Sequence, residues 1–274
     1  AGHLRLARWR ETGGLIGICV ASASPAVFAA VSSVPFAMFA GVFAAMTCMA
    51  ALAMAGEWDR DMIRQPQAFA QVLRDRTARQ ILLIGLVNAA PVAVTSTLFL
   101  FYVESRLTAP DAAGPLLLLF FMSAALAAPL WTFLAERFGL KRVLRAAMGL
   151  AIFSLFWVLF LNSGDVIAFG VICVLSGAAV GADMTLIPAV FAQRIAHIGA
   201  STTDGFGLWS FVSKFSLAVA AVILLPSLEF AGFRSGQENS AVALGVLTWT
   251  YALVPCALKL LAIAVLQRTD LRES

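Results

Sequence analysis

Histidine is nearly missing from this chain, with two in 274 residues, and charge is scarce: Asp, Glu, Lys and Arg together make 12% of the sequence. An ordinary soluble domain is about one quarter charged. His3 and His197 stand far apart in basic gaps, and no cluster of His, Asp or Glu marks a hydrolytic or metal centre. An enzyme is therefore not expected, and neither is a metal or cofactor. No glycine-rich phosphate loop is present, which excludes ATP as a driver. No basic stripe is interleaved with aromatics, which excludes nucleic acid as a partner. The four cysteines, Cys19, Cys48, Cys173 and Cys256, lie singly in apolar runs without paired spacing. That pattern suits packing residues and gives no disulfide framework. No period-two alternation over ten-residue stretches occurs, so a β-barrel is excluded. A signal peptide with a cleavage site is not expected either.

What remains is long apolar runs. The chain is 61% hydrophobic, with a mean hydropathy of +0.91. That excess is too large for a buried core, so lipid is the solvent for most side chains. The cations are sorted. Fifteen of the 19 Lys and Arg residues fall in alternate gaps between the runs. These are Arg5, Arg8 and Arg10; Arg60, Arg64, Arg74, Arg76 and Arg79; Arg137, Lys141, Arg142 and Arg145; Arg194; and Arg268 and Arg272. The intervening gaps hold Arg106 and Arg234, while Lys214 and Lys259 sit inside runs. Basic loops stay cytoplasmic during insertion, so this sorting reads as membrane topology.

A spanning helix needs about 20 mostly apolar residues. The sequence predicts an all-α polytopic membrane protein with about eight spans. They lie near 11–31, 34–56, 80–103, 114–134, 143–161, 166–192, 206–225 and 242–267. An even number of spans puts both termini in the cytoplasm. Ser32 and Ser33 form a short outer turn, and Asn162-Ser163-Gly164-Asp165 is a turn signal. Residues 226–240 form the longest outer loop, and 57–79 the longest polar segment. Pro25, Pro91, Pro129, Pro188 and Pro255 fall inside spans, where neighbouring helices satisfy the freed carbonyls. Gly177 and Gly181 share one helical face, as do Gly13 and Gly17, which suits close helix packing.

The loop Glu136-Arg137-Phe-Gly139-Leu-Lys141-Arg142 resembles the signature loop of the major facilitator superfamily, which follows the second helix of each six-helix half. Here it follows the second span after the long polar segment. The resemblance implies a last pair of helices of an N-terminal half at 1–56, a central cytoplasmic loop at 57–79 and a C-terminal six-helix half at 80–274. Glu136 and Arg137 would clamp neighbouring helix ends. The stretches Gly181-Ala-Asp183 to Gln193, Asp204-Gly205 to Lys214, Asn88 to Val103 and Tyr251 to Lys259 resemble the glycoside–pentoside–hexuronide:cation symporter, or melibiose permease-like, family. So does Arg10 with Gly17. The chain then matches helices 5–12 of a twelve-helix fold. The acidic residues on which that family chiefly relies for cation coupling lie on helices it does not contain. The expectation is a C-terminal part of a transporter, or a degenerate copy.

Charge in mid-membrane is costly and marks function by default. Lys214 lies about 12 Å into its span at 1.5 Å per residue. The resemblance implies that it lines a central cavity; a snorkelling lysine is the plain alternative. Ser210, one turn earlier, matches a sugar-facing hydroxyl. Asp183, near the bilayer centre, either pairs with Lys214, binds a coupling cation (Na⁺ or H⁺), or serves a structural ion pair. Lys259, nearer the cytoplasmic end, is expected to snorkel. Arg10 matches a substrate-contacting arginine, or is a topology charge. Asn88, Thr95 and Tyr102 recur every seven residues, a stripe that should face inward, towards a cavity or packing hydrogen bonds. Trp209 and Trp249 suit either sugar stacking or interfacial anchoring. Gln193 stands where the family pattern carries an acid, and an amide cannot titrate.

The function expected is secondary active transport, cation-coupled symport of a sugar, glycoside or similar small polar solute by alternating access. The alternatives are a non-transporting membrane partner and, less favoured, a membrane-embedded lipid enzyme. The expected setting is a bacterial inner membrane, with lipid and solute as the partners of a monomer.

Overall fold

The computed structural model describes residues 2–57 and 68–269, with the side chains of 2–12, 15, 16, 26, 57, 68, 202 and 203 outside the description. The described residues form nine α-helices and no strand. They are α1 Gly2–Ala29, α2 Pro35–Met54, α3 Ala68–Arg74, α4 Arg76–Phe101, α5 Ala113–Phe138, α6 Leu140–Phe156, α7 Val166–His197, α8 Thr202–Phe230 and α9 Ala241–Arg268. Seven of them are long and apolar enough to cross a membrane: α2 and α4 to α9. The expected first span lies in α1, whose apolar stretch Gly17–Ala29 is shorter.

Three boundaries differ from the sequence expectation. The polar segment is helical from Ala68: α3 runs to Arg74, and Asp75 then caps α4 by accepting from the Ala78 N–H at 2.7 Å. The outer end of α8 runs on to Phe230, with Pro226 inside it, so the following loop is shorter than expected. Past Phe101, α4 widens into one π-turn, Tyr102–Arg106, and the Arg106 guanidinium donates to the Leu161 carbonyl at 2.7 Å. The turn at Asn162 forms as expected: its N–H donates to the Asp165 carboxylate at 2.8 Å, and Gly164 takes φ +86°. Gly139 (φ +88°) joins α5 to α6 in a backbone conformation that a side chain would strain.

Contacts at the helix ends bear out the alternation of basic and non-basic gaps. At the basic end, Arg194 grips Asp75 through two bonds of 2.8 and 3.0 Å, tying the end of α7 to the start of α4. Gln71 reaches the Ile198 carbonyl at 2.8 Å, and Lys141 reaches the Thr269 carbonyl. The Arg194 guanidinium holds the Asp75 carboxyl below its usual range. This is the ion-pair clamp that the signature loop was expected to supply. Glu136 and Arg137 instead face outward at the end of α5, with Arg137 over the Phe138 ring at 5.5 Å.

The most extensive helix interface is α5 with α7. Gly177 and Gly181 face the Phe120 and Ala124 carbonyls so closely that a Cβ on either would collide with backbone. Ser123 and Trp131 donate across the same seam to the Val174 and Ala178 carbonyls at 2.6 and 2.7 Å. Helix α1 packs on α5 and α7, and α2 packs on α1.

Helices α4, α6, α7 and α9 enclose two apolar layers. One surrounds Leu98, Tyr102, Phe169, Leu247 and Tyr251, where the Tyr102 and Tyr251 rings stack at 4.8 Å. The other surrounds Ile81, Leu144, Ile187, Phe191 and Leu266.

Candidate functional site

Between those layers lies a polar centre. Asn88 is the thirteenth of 26 residues in α4, Asp183 the eighteenth of 32 in α7, and Lys259 the nineteenth of 28 in α9. Each therefore sits near mid-helix. The Lys259 ammonium donates to Asp183 Oδ2 at 2.5 Å and to Asn88 Oδ1 at 2.6 Å. Lys259 is 1% exposed, Asn88 3% and Asp183 8%. Asp183 Oδ1 is buried without a hydrogen-bond partner.

Lys259 corrects the expectation of a snorkelling lysine. It lies on the buried stripe of α9 with Ala252, Pro255, Cys256, Ala262 and Leu266, so its stem points into the bundle. The pairing of Asp183 with Lys214 is corrected for a related reason. Trp209 of α8 turns its ring into the bundle, against Phe191 at 5.3 Å and over Gly85. Lys214 is five residues on, about 140° around the helix, and so faces away. It is exposed together with Ser210, on one face of α8 as the spacing implied.

The other predicted residues divide. Thr95 is half-buried and its hydroxyl turns back to its own helix, donating to the Pro91 and Val92 carbonyls. Tyr102 is fully buried and donates to the Val158 carbonyl at 3.2 Å. Of the Asn88, Thr95, Tyr102 stripe, Asn88 alone reaches the charged centre. Trp249 and Gln193 are exposed. Arg10 is on α1, but its side chain lies outside the described residues, as do Arg60, Arg64 and Arg272 altogether. Gly139, Lys141 and Arg142 stand at the basic end, far along the helices from the centre.

Among the described residues, no three His, Cys, Asp or Glu side chains come together as a metal site. What the centre offers is one carboxylate, one amide oxygen and one ammonium. Each of its helices also carries a proline close by: Pro91 in α4, Pro188 in α7 and Pro255 in α9. A proline removes the N–H that would bond the carbonyl four residues earlier. The Val87, Met184 and Tyr251 carbonyls thus lose their helical partner in or beside this layer.

A bundle of long apolar helices, closed around a charged centre at mid-span, defines an integral membrane protein. The chain matches the family model described as MFS/sugar transport protein over residues 1–273, and it belongs to that family. It is thus a transporter of the major facilitator kind. No curated protein matches it.

Proposed function

We propose that the protein is a secondary transporter that carries a sugar, glycoside or similar small polar solute by alternating access, coupled to a cation. The observation that supports this most is the Asp183–Lys259–Asn88 centre. An isolated bundle gains little by placing a carboxylate and an ammonium at mid-span, because desolvation offsets their attraction. Charges inside a membrane bundle generally mark an ion or substrate path. In transporters of this kind the solute binds near the midplane and the two halves rock around it. The sugar class follows from the description of the matched family.

In this reading the solute meets the exposed α8 face that carries Ser210 and Lys214, where a hydroxyl and an ammonium suit a hydroxyl-rich ligand. Arg10, Asn88, Thr95 and Trp209 are the further candidates for solute contact, Asn88 and Trp209 from the interior of the bundle. Asp183 serves coupling. Residues 1–56 belong with one half of the transporter and 80–274 form the other, with 57–79 the loop between. Both termini lie in the cytoplasm, the membrane is a bacterial inner membrane, and the unit is a monomer. The melibiose permease-like assignment rests on the motifs quoted above.

The test is uptake into proteoliposomes. A panel of labelled sugars and glycosides is offered under an inward Na⁺ gradient and, separately, an inward proton gradient. Accumulation of one solute class is expected, with Lys214→Ala lowering the initial rate at least tenfold. Failure of every solute under both gradients would remove the reading. Gln193 favours a second one, a non-transporting membrane partner, because it replaces an acid of the family pattern with an amide. Saturable solute binding without any flux would support that alternative.

A further inference from the structure

Building on the transport reading, we infer that Asp183 is the coupling-proton site, with Lys259 as its built-in counter-cation. The cation that drives this transporter is then H⁺ and not Na⁺.

The geometry carries the choice. A hard metal cation is held by several oxygens around one central position. At this centre the central position is taken: the Lys259 ammonium sits between Asp183 Oδ2 and Asn88 Oδ1, at 2.5 and 2.6 Å. Lys259 is almost wholly enclosed, and among the described residues these two oxygens hold it. A metal ion would have to expel the ammonium from that position. A proton has no such requirement. It needs one lone pair, and Asp183 Oδ1 presents one that is buried and unpartnered.

The charge surroundings are sparse enough for a single proton to matter. Lys259 on α9 is the charged group bonded to Asp183. From α4, Asn88 contributes a neutral amide. Helix α4 carries no charged side chain from residue 80 to 101, α5 none from 113 to 135, α6 none after Arg145, and α1 none in residues 13–29. On α8, Lys214 faces outward and Asp204 lies in the first turn. Arg194 at the end of α7 is committed to Asp75. The other titratable neighbours on these helices, Tyr102, Tyr251, Cys173 and Cys256, belong to the adjacent apolar layer.

The step balances simply. A hydronium ion from the proton-rich side gives up its proton, which forms an O–H bond at Oδ1 and turns the carboxylate into a neutral acid, and leaves as water. The ion pair is lost and Lys259 remains hydrogen-bonded to Asn88 and to the neutral acid. The centre passes from net zero charge to net +1. A buried unpaired ammonium is unfavourable, so the protonated state favours a rearrangement that rehydrates Lys259 or returns the proton. Pro91, Pro188 and Pro255 place broken helical hydrogen bonds near this layer, in the three helices that must move.

The experiment compares wild type, Asp183→Asn and the uncharged pair Asp183→Asn with Lys259→Met in proteoliposomes. Size-exclusion profiles in detergent confirm that each protein is folded. For wild type, an inward gradient of one pH unit should accumulate solute about tenfold at one proton per solute. A Na⁺ gradient at equal pH on both sides should give none. One or both variants should still exchange labelled for unlabelled solute, but with an accumulation ratio near one under the pH gradient. Accumulation driven by Na⁺, or pH-driven accumulation that survives in a folded variant, would overturn the proton-site assignment while leaving the transport reading in place. No flux of any solute in wild type would instead defeat the transport reading itself.

Discussion

Lys259 brings a full positive charge to a position 1% exposed, and two oxygens hold it there. Removing one partner of a buried pair leaves the other uncompensated, at a cost of about 3–5 kcal/mol. Lys259→Met is therefore expected to lower the thermal midpoint in detergent markedly, and Lys259→Met with Asp183→Leu to recover most of the loss. Equal midpoints for the single variant and wild type would show that the charge is not buried as described. Asp183 and Asn88 were legible in the sequence as interior polar groups, because a polar side chain in a long apolar run has nowhere else to go. Lys259 was not. It stands past the middle of its helix on the side of the basic end, where a lysine ordinarily reads as reaching towards water, and α9 is apolar nearly all round. With no polar face to orient the helix, the direction of the stem is set by packing against α4 and α7, which no local pattern records. The stripe Ala252, Cys256, Lys259, Ala262 held the signal, in its small residues at helical spacing.

At the scale of the helices, two contacts decide how α7 is held. Gly177 and Gly181 bring its backbone against α5, so Gly181→Leu should overpack the seam by about 1–3 kcal/mol or more. Gly149 on α6 has open space around its missing Cβ, and Gly149→Ala should be neutral or slightly stabilising, by up to about 1 kcal/mol from helix propensity. Thermal melts of the two variants check the contrast, and equal shifts would count against the seam. The second contact is the Asp75–Arg194 pair. Because the folded carboxyl sits below its ordinary range, near 4, the pair's contribution is present above that pH. It is lost as pH falls through the lower folded value. Asp75→Asn should therefore lower stability near neutrality, with the gap to wild type closing only in strong acid. A gap that is constant from pH 7 to pH 2 would contradict the assignment. The glycine spacing was readable as a packing face. The clamp was not, because Asp75 and Arg194 are 119 positions apart and each looks like an ordinary loop charge. Glu136 and Arg137 form the conspicuous motif, but their side chains point outward.

Over the whole molecule, the strongest sequence signal was the alternation of cation-rich and cation-poor gaps, and it placed the helix ends well. Alternation follows from the energetics of moving charge through lipid, so it survives without any knowledge of packing. The six helices α4 to α9 close around one charged layer flanked by two apolar ones, while Ser210 and Lys214 stand on an uncovered face of α8. That arrangement separates two roles, a solute surface outside the layer and a proton site within it. The direct check is to add solute to wild-type proteoliposomes in lightly buffered medium with no gradient imposed. The account predicts that the external medium turns alkaline as solute enters, and that Asp183→Asn abolishes this signal. Solute entry with no change in external pH would contradict it.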